Sequence, residues 1–216
     1  MTARNVFITG ATGYIGSRLV PRLLARGHTV RALVRPQSVH KLPRDAEAII
    51  GSALDGATFA GRIAPSDTFV QLVGVPHPSP SKAEEFRRID LASVRASAEA
   101  AKGAGIGHFV YLSVAQPAPL MRDYIAVREE GERLVREMAM PATFLRPWYV
   151  LGPGHRWPYA ILPFYWLWMI PPRSRDTARR LYPVTLSQVL HAMVDAVEHP
   201  PDTLRIIEAP EMRRAV

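Results

Sequence analysis

Residues 6–16 read Val6-Phe7-Ile8-Thr9-Gly10-Ala11-Thr12-Gly13-Tyr14-Ile15-Gly16. An apolar run rich in strand-forming residues stops at a turn punctuated by glycines, and an amphipathic stretch from Tyr14 to Arg26 follows. Strand, glycine turn, helix is the context that a dinucleotide-binding fingerprint requires. Each glycine has a physical reason: Gly10 lets the strand turn sharply, Gly13 leaves the backbone open to a pyrophosphate, and Gly16 lets the helix pack closely on the sheet. The N–H groups of Thr12, Tyr14 and Ile15 then belong to a helix start whose positive dipole end favours phosphate.

The rest of the chain carries the same alternation. Short apolar runs are predicted as strands at Asn5–Thr9, Thr29–Val34, Ala48–Ile50, Thr68–Val73, His108–Ser113 and Ala142–Leu145, with a last one at Leu204–Ile207. Between them, helical patterns cover Ala83–Gly103, Tyr124–Met138 and Leu186–Glu198, and Gly27 is placed to cap the first helix. This predicts an α/β fold, a doubly wound parallel sheet of Rossmann type. After Pro147 the alternation weakens and prolines interrupt an aromatic stretch. A single domain over 1–216 is expected, with residues 148–183 forming a small irregular C-terminal cap on the substrate side.

Composition narrows the chemistry. The chain has 216 residues, 48% of them hydrophobic, enough for one α/β core and a modest appendage. It has no cysteine, which excludes disulfides and thiolate catalysis. The first residues run straight into a strand with no apolar signal region, so a cytoplasmic location is expected. The formal charge is +8, yet only Lys41, Lys82 and Lys102 are lysines, and the arginines are dispersed along the chain. Without a nucleic-acid module, this suggests a solvated basic surface and no nucleic-acid partner. The histidines show no helical metal-ligand spacing, so no metal is expected. Ser113 lacks the His/Asp signature of a hydrolase triad.

Cofactor choice is legible at the end of the second strand. An acidic residue about 20 positions past the glycines holds the ribose 2′-hydroxyl of NAD; here the position is Arg35. Arginine suits a 2′-phosphate, so NADP is expected ahead of NAD. Arg31 lies on the same side by the two-residue period, with Lys41 near.

The glycine motif, Arg-Ala-Leu-Val-Arg at 31–35, Phe109-Val110-Tyr111-Leu112-Ser113, Leu145-Arg146-Pro147, Gly152-Pro153-Gly154 and Val184–Val189 together resemble the extended and atypical short-chain dehydrogenases/reductases, NmrA-like proteins and complex I accessory subunits among them. The resemblance implies a Ser–Tyr–Lys active site: Ser113 to position a substrate oxygen, Tyr124 as acid/base, and a Lys four residues later. That position is Arg128. Residues i and i+4 share a helix face, so the two side chains can meet, and a guanidinium beside a phenol is expected to favour phenolate. Arginine cannot join a proton relay as lysine can. The resemblance also places Gly74 and Val75 on the adenosine side of the cofactor and the backbone after Pro147 at the carboxamide. Asp90 is expected as a solvated helix residue, or else facing the sheet near the active site.

Two functions remain open on the sequence. One is an oxidoreductase or epimerase/dehydratase acting on a small carbonyl or hydroxyl substrate. The other is a non-catalytic, cofactor-binding sensor or assembly subunit. Residues 157–170, followed by Arg173, Arg175, Arg179 and Arg180, are too short and proline-broken to span a bilayer. They are expected to pack on the core, cover a pocket, or contact a membrane surface or protein in the 157–180 region. Oligomerisation is left open.

Overall fold

The computed structural model describes residues 2–154 and 162–214. Its centre is a seven-stranded sheet in the order β3-β2-β1-β4-β5-β6-β9, every pair parallel. The strands are β1 (Asn5–Thr9), β2 (Thr29–Val34), β3 (Glu47–Ile50), β4 (Thr68–Gln71), β5 (His108–Leu112), β6 (Ala142–Arg146) and β9 (Leu204–Glu208). The short β7 (Val150–Leu151) and β8 (Val184–Thr185) pair separately. The helices are α1 (Gly16–Ala25), α2 (Ala83–Glu85), α3 (Ala92–Gly103), α4 (Arg122–Glu137), α5 (Leu162–Trp168), α6 (Pro172–Leu181), α7 (Leu186–Glu198) and α8 (Ala209–Arg214). Among the described residues, no helix is long and apolar enough to cross a membrane.

Alternation along the strands builds two cores. Val6, Ile8, Val70 and Val110 face one side, where α1 and α7 lay down Leu19, Leu23, Val189 and Met193. Leu19, Val20 and Leu23 recur at helical spacing, as do Val189, Leu190, Met193 and Val197. On the other side Phe7, Phe69 and Phe109 stand in register on β1, β4 and β5. Their rings stack 5.2 Å apart at each step. All three are wholly buried, and each such side chain contributes roughly 1.5–3 kcal/mol. Both faces of the sheet are covered, which accounts for strands that read as almost continuous apolar runs.

Two features depart from the expected elements. The helix over 83–103 is not regular: Phe86–Leu91 forms a π-helical turn between α2 and α3. The proline-broken stretch is not wholly irregular, since α5 and α6 form between β7 and β8. The 157–161 part of that stretch lies outside the described residues. At its far end, α7 opens with a capping box: Gln188 N–H donates to Thr185 Oγ1 (3.2 Å) and Thr185 N–H to Gln188 Oε1 (2.9 Å).

The order of strands reverses between β1 and β4, and this is where an open parallel sheet splays its carboxyl ends to leave a crevice.

Candidate active site

The glycine turn lies at that crevice. Gly10 has φ +76°, and a Cβ there would stand 2.9 Å from the Leu72 carbonyl carbon, so both its conformation and the approach of β4 demand glycine. At Gly16 a Cβ would strike the backbone of Gly10 and Ala11, which explains how α1 starts directly against β1. Gly13 N–H donates to Gly10 O (3.0 Å), and Gly13 itself is exposed. The α1 start has no side-chain cap and no acidic residue in its first turn. Its amide dipoles therefore suit an anion, and the cradle fits a dinucleotide pyrophosphate.

Beside the turn a cavity of about 470 Å³ runs along the carboxyl ends of β4, β5 and β6. Tyr14, Ile15, Ser113, Tyr124, Arg128 and Pro147 all line it. The fold thus brings together side chains from four separate regions. Leu72, Leu112, Val114, Met121, Trp148 and Tyr149 make much of the wall apolar. No sequence pattern pointed to Leu72, Val114 or Met121 as wall residues, because only the sheet order makes them neighbours.

Arg128 is buried and does not act as a free partner of the phenol. Its Nη2 donates to Asp90 Oδ1 at 2.6 Å and its Nη1 to Leu112 O at 2.9 Å, while the guanidinium sits 5.1 Å from the Tyr124 ring centroid. Burial opposes the Arg128 charge, but Tyr124, Tyr111 and Asp90 around it raise its pKa above the usual arginine value. Asp90 is 1% exposed, not solvated, and its Oδ2 accepts from Val75 N–H at 2.8 Å. Burial lifts the Asp90 pKa, and Arg128 only partly offsets this. The π-helical turn carries Asp90 inward, the kind of device often found at functional sites.

This pair corrects the reading of Tyr124 and adds a second reason for Gly74. Tyr124 is not tuned toward phenolate: burial raises its pKa, Arg128 opposes that rise, and the Asp90 charge adds to it. Gly74 has an internal reason to be glycine, because a Cβ there would collide with Arg128 Nη2 and stand 3.2 Å from Asp90 Oδ1. The Val75 amide is likewise engaged by Asp90, and its side chain is buried with Phe86 and Val127.

Ser113 is directed to a residue that sequence reading missed. Its Oγ donates to Glu132 Oε1 at 2.7 Å. Glu132, wholly buried, also accepts from Gln116 (2.7 Å), Arg136 (2.9 Å) and Arg146 (2.8 Å). A signal for it existed: Tyr124, Arg128 and Glu132 follow at i, i+4 and i+8 on one face of α4.

The two arginines of β2 part company. Arg31 is taken by structure, donating to Glu47 across the strand pair (2.8 Å) and to Arg62 O (2.7 Å). Arg35 is exposed at the end of β2, where its carbonyl accepts from Ser38 N–H at 2.8 Å. Among the described residues nothing holds its guanidinium. Lys41 ends the 3-10 turn that follows.

Comparison with known proteins gives the family and the fold. The chain is 34% identical to a ceramide reductase of Caulobacter vibrioides over 151 residues, covering 69% of this chain and 47% of the relative. It is 31% identical to a divinyl chlorophyllide a 8-vinyl-reductase of Zea mays over 151 residues, 65% of this chain and 38% of that protein. The chain thus spans less than half the length of these relatives. In fold it resembles the Bordetella bronchiseptica enzyme WbmH solved with NAD+, at TM-score 0.70 and 19% identity, covering 95% of this chain and 75% of that one. The profile of a family described as NAD(P)H-binding matches residues 10–160, from the glycine turn to beyond the last cavity-lining residue, and the chain belongs to that family.

Proposed function

We propose that the protein is an NADP(H)-dependent reductase of an apolar carbonyl compound, with Tyr124 as its proton donor. The observation that carries this is a phenol with a raised pKa in an apolar cavity beside the glycine turn. A phenol that keeps its proton at neutral pH acts as an acid, which suits carbonyl reduction better than alcohol oxidation or base-initiated epimerisation. When bound, the reduced nicotinamide supplies the hydride.

The chain's own residues bind and orient. Thr12, Gly13, Tyr14 and Ile15 offer backbone and dipole to the pyrophosphate, and Arg35 pairs with the 2′-phosphate. Gly74 and Val75 would border the adenosine side of the bound cofactor, and Pro147 its carboxamide. Tyr124 passes its proton to the substrate oxygen. Ser113, whose own proton is directed to Glu132, presents lone pairs to the cavity and so meets a donor on the substrate rather than its carbonyl. Both relatives are named as reductases, and much of the cavity wall is apolar.

The test is NADPH oxidation against a panel of long-chain and polycyclic ketones. Tyr124→Phe should abolish turnover and leave NADPH affinity unchanged, since the phenol acts in the transition state. The wild-type rate should be flat across neutral pH and fall as pH rises through the Tyr124 pKa, above the ordinary tyrosine value of 10.0. Turnover that survives Tyr124→Phe overturns the assignment.

A further inference from the structure

Helix α5 has two unlike sides. Tyr165 and Trp168 pack with Trp148, Ala115 and Ala118 against the fold. Phe164, Trp166, Leu167 and Ile170 are 70, 68, 64 and 66% exposed. Leu120, two residues beyond Ala118 in the same packed group, is 64% exposed. Single exposed apolar side chains are ordinary, but four large ones within seven residues form a patch that marks an interaction site. Helix α6 follows directly with Arg173, Arg175, Arg179 and Arg180 against one acid, Asp176. Arg175 donates to Met169 O, just past α5, at 3.1 Å, which ties the basic helix to the apolar one, and Arg180 donates to Pro117 O in the loop after β5 at 2.7 Å.

We propose that this face docks the protein on an anionic lipid bilayer, with the apolar side chains entering the headgroup–acyl boundary and the α6 arginines meeting lipid phosphates. Trp, Phe, Leu and Ile flanked by arginine make up the composition of an interfacial segment. The whole chain carries +8, so its long-range field also draws it to a negative surface. A second copy of this chain carries the same basic charge and adds no complementary acidic surface beyond Asp176 on this face.

The buried side of the same helix packs near a cavity residue. Trp148, packed against Tyr165 and Trp168, lines it. Docking therefore leaves only α5 between the lipid phase, from which an apolar substrate would arrive, and the Trp148 wall of the pocket. Docking goes beyond the reductase reading, and its test needs no turnover, so either can fail alone.

The experiment uses the full chain with vesicles of phosphatidylcholine, with and without phosphatidylglycerol. Co-sedimentation is expected with the anionic vesicles only and should weaken as salt rises. Tryptophan emission should shift blue on binding, and Trp166→Phe should remove much of that shift. Phe164→Ser combined with Leu167→Ser, and separately Arg173→Glu combined with Arg179→Glu, should each lower vesicle affinity by about tenfold or more. Unchanged NADPH affinity and melting temperature in these exposed-site variants show that they fold. Absence of binding to anionic vesicles, or binding that both double variants retain, overturns the proposal. A concentration-dependent dimer abolished by the same variants also overturns it, and assigns the face to self-association.

Discussion

Arg128 and Asp90 form the most consequential pair in the molecule. An arginine four residues after Tyr124 reads on the sequence as a substitute lysine. In the fold its charge is answered by Asp90 at 2.6 Å, and Gly74 leaves it the necessary space. Removing one partner of a buried ion pair strands the other. Arg128→Ala should therefore cost about 3–5 kcal/mol of stability, measured by denaturant unfolding. Replacing both, as Asp90→Asn with Arg128→Leu, should recover a good part of that loss because no charge is left buried alone. A single variant as stable as the parent would mean that the pair contributes nothing. Gly74 and Arg128 were both singled out on the sequence. That they constrain each other was not, because they lie 54 positions apart and nothing local to either implies the other.

At the scale of elements, β5 carries a second buried ionisable group. His108 opens the strand, is 1% exposed and bonds Thr143 Oγ1 on β6 at 2.9 Å. Burial, with the charges of Arg4 and Arg205, pushes its pKa from 6.5 down to about 4. Between those values the unfolded chain takes up a proton that the folded one refuses. The contribution is thus fully present above pH 6.5, and it is lost as pH falls toward about 4, amounting to about 3 kcal/mol. Unfolding free energies across that window should show a shallower acid limb for His108→Gln than for the parent. Equal slopes would mean that another group governs the limb. Element positions themselves were well marked in the sequence. β1 and β2 begin and end at the predicted residues, and α7 spans its predicted range, since periodicity and caps are local properties. β4 stops at Gln71 rather than Val73 because Leu72 and Val73 crowd the Gly10 turn, a contact made by another strand.

Across the whole molecule the decisive property is that the carboxyl end of the sheet gathers a turn from β1, the end of β5 and a helix residue from α4 around one cavity. Ligand that binds only the folded state raises its melting temperature in proportion to RT ln(1 + [L]/Kd). At equal concentration NADPH should therefore raise it more than NADH, and Arg35→Ala should bring the two shifts together. An unaltered NADPH advantage in Arg35→Ala would remove Arg35 from cofactor choice. The sequence by itself determined the α/β class, the glycine turn, the acid-to-arginine change at Arg35 and the stripe carrying Tyr124 and Arg128. Each of these is written in residues near one another along the chain, where sterics and periodicity act. Only the tertiary structure decided that Arg31 is tied to Glu47, that Ser113 donates a hydrogen bond to Glu132, that Asp90 faces inward, and that the apolar side of α5 is exposed. Those outcomes depend on which charges and surfaces the folded chain brings within a few ångströms of one another, and on how much water it excludes from between them.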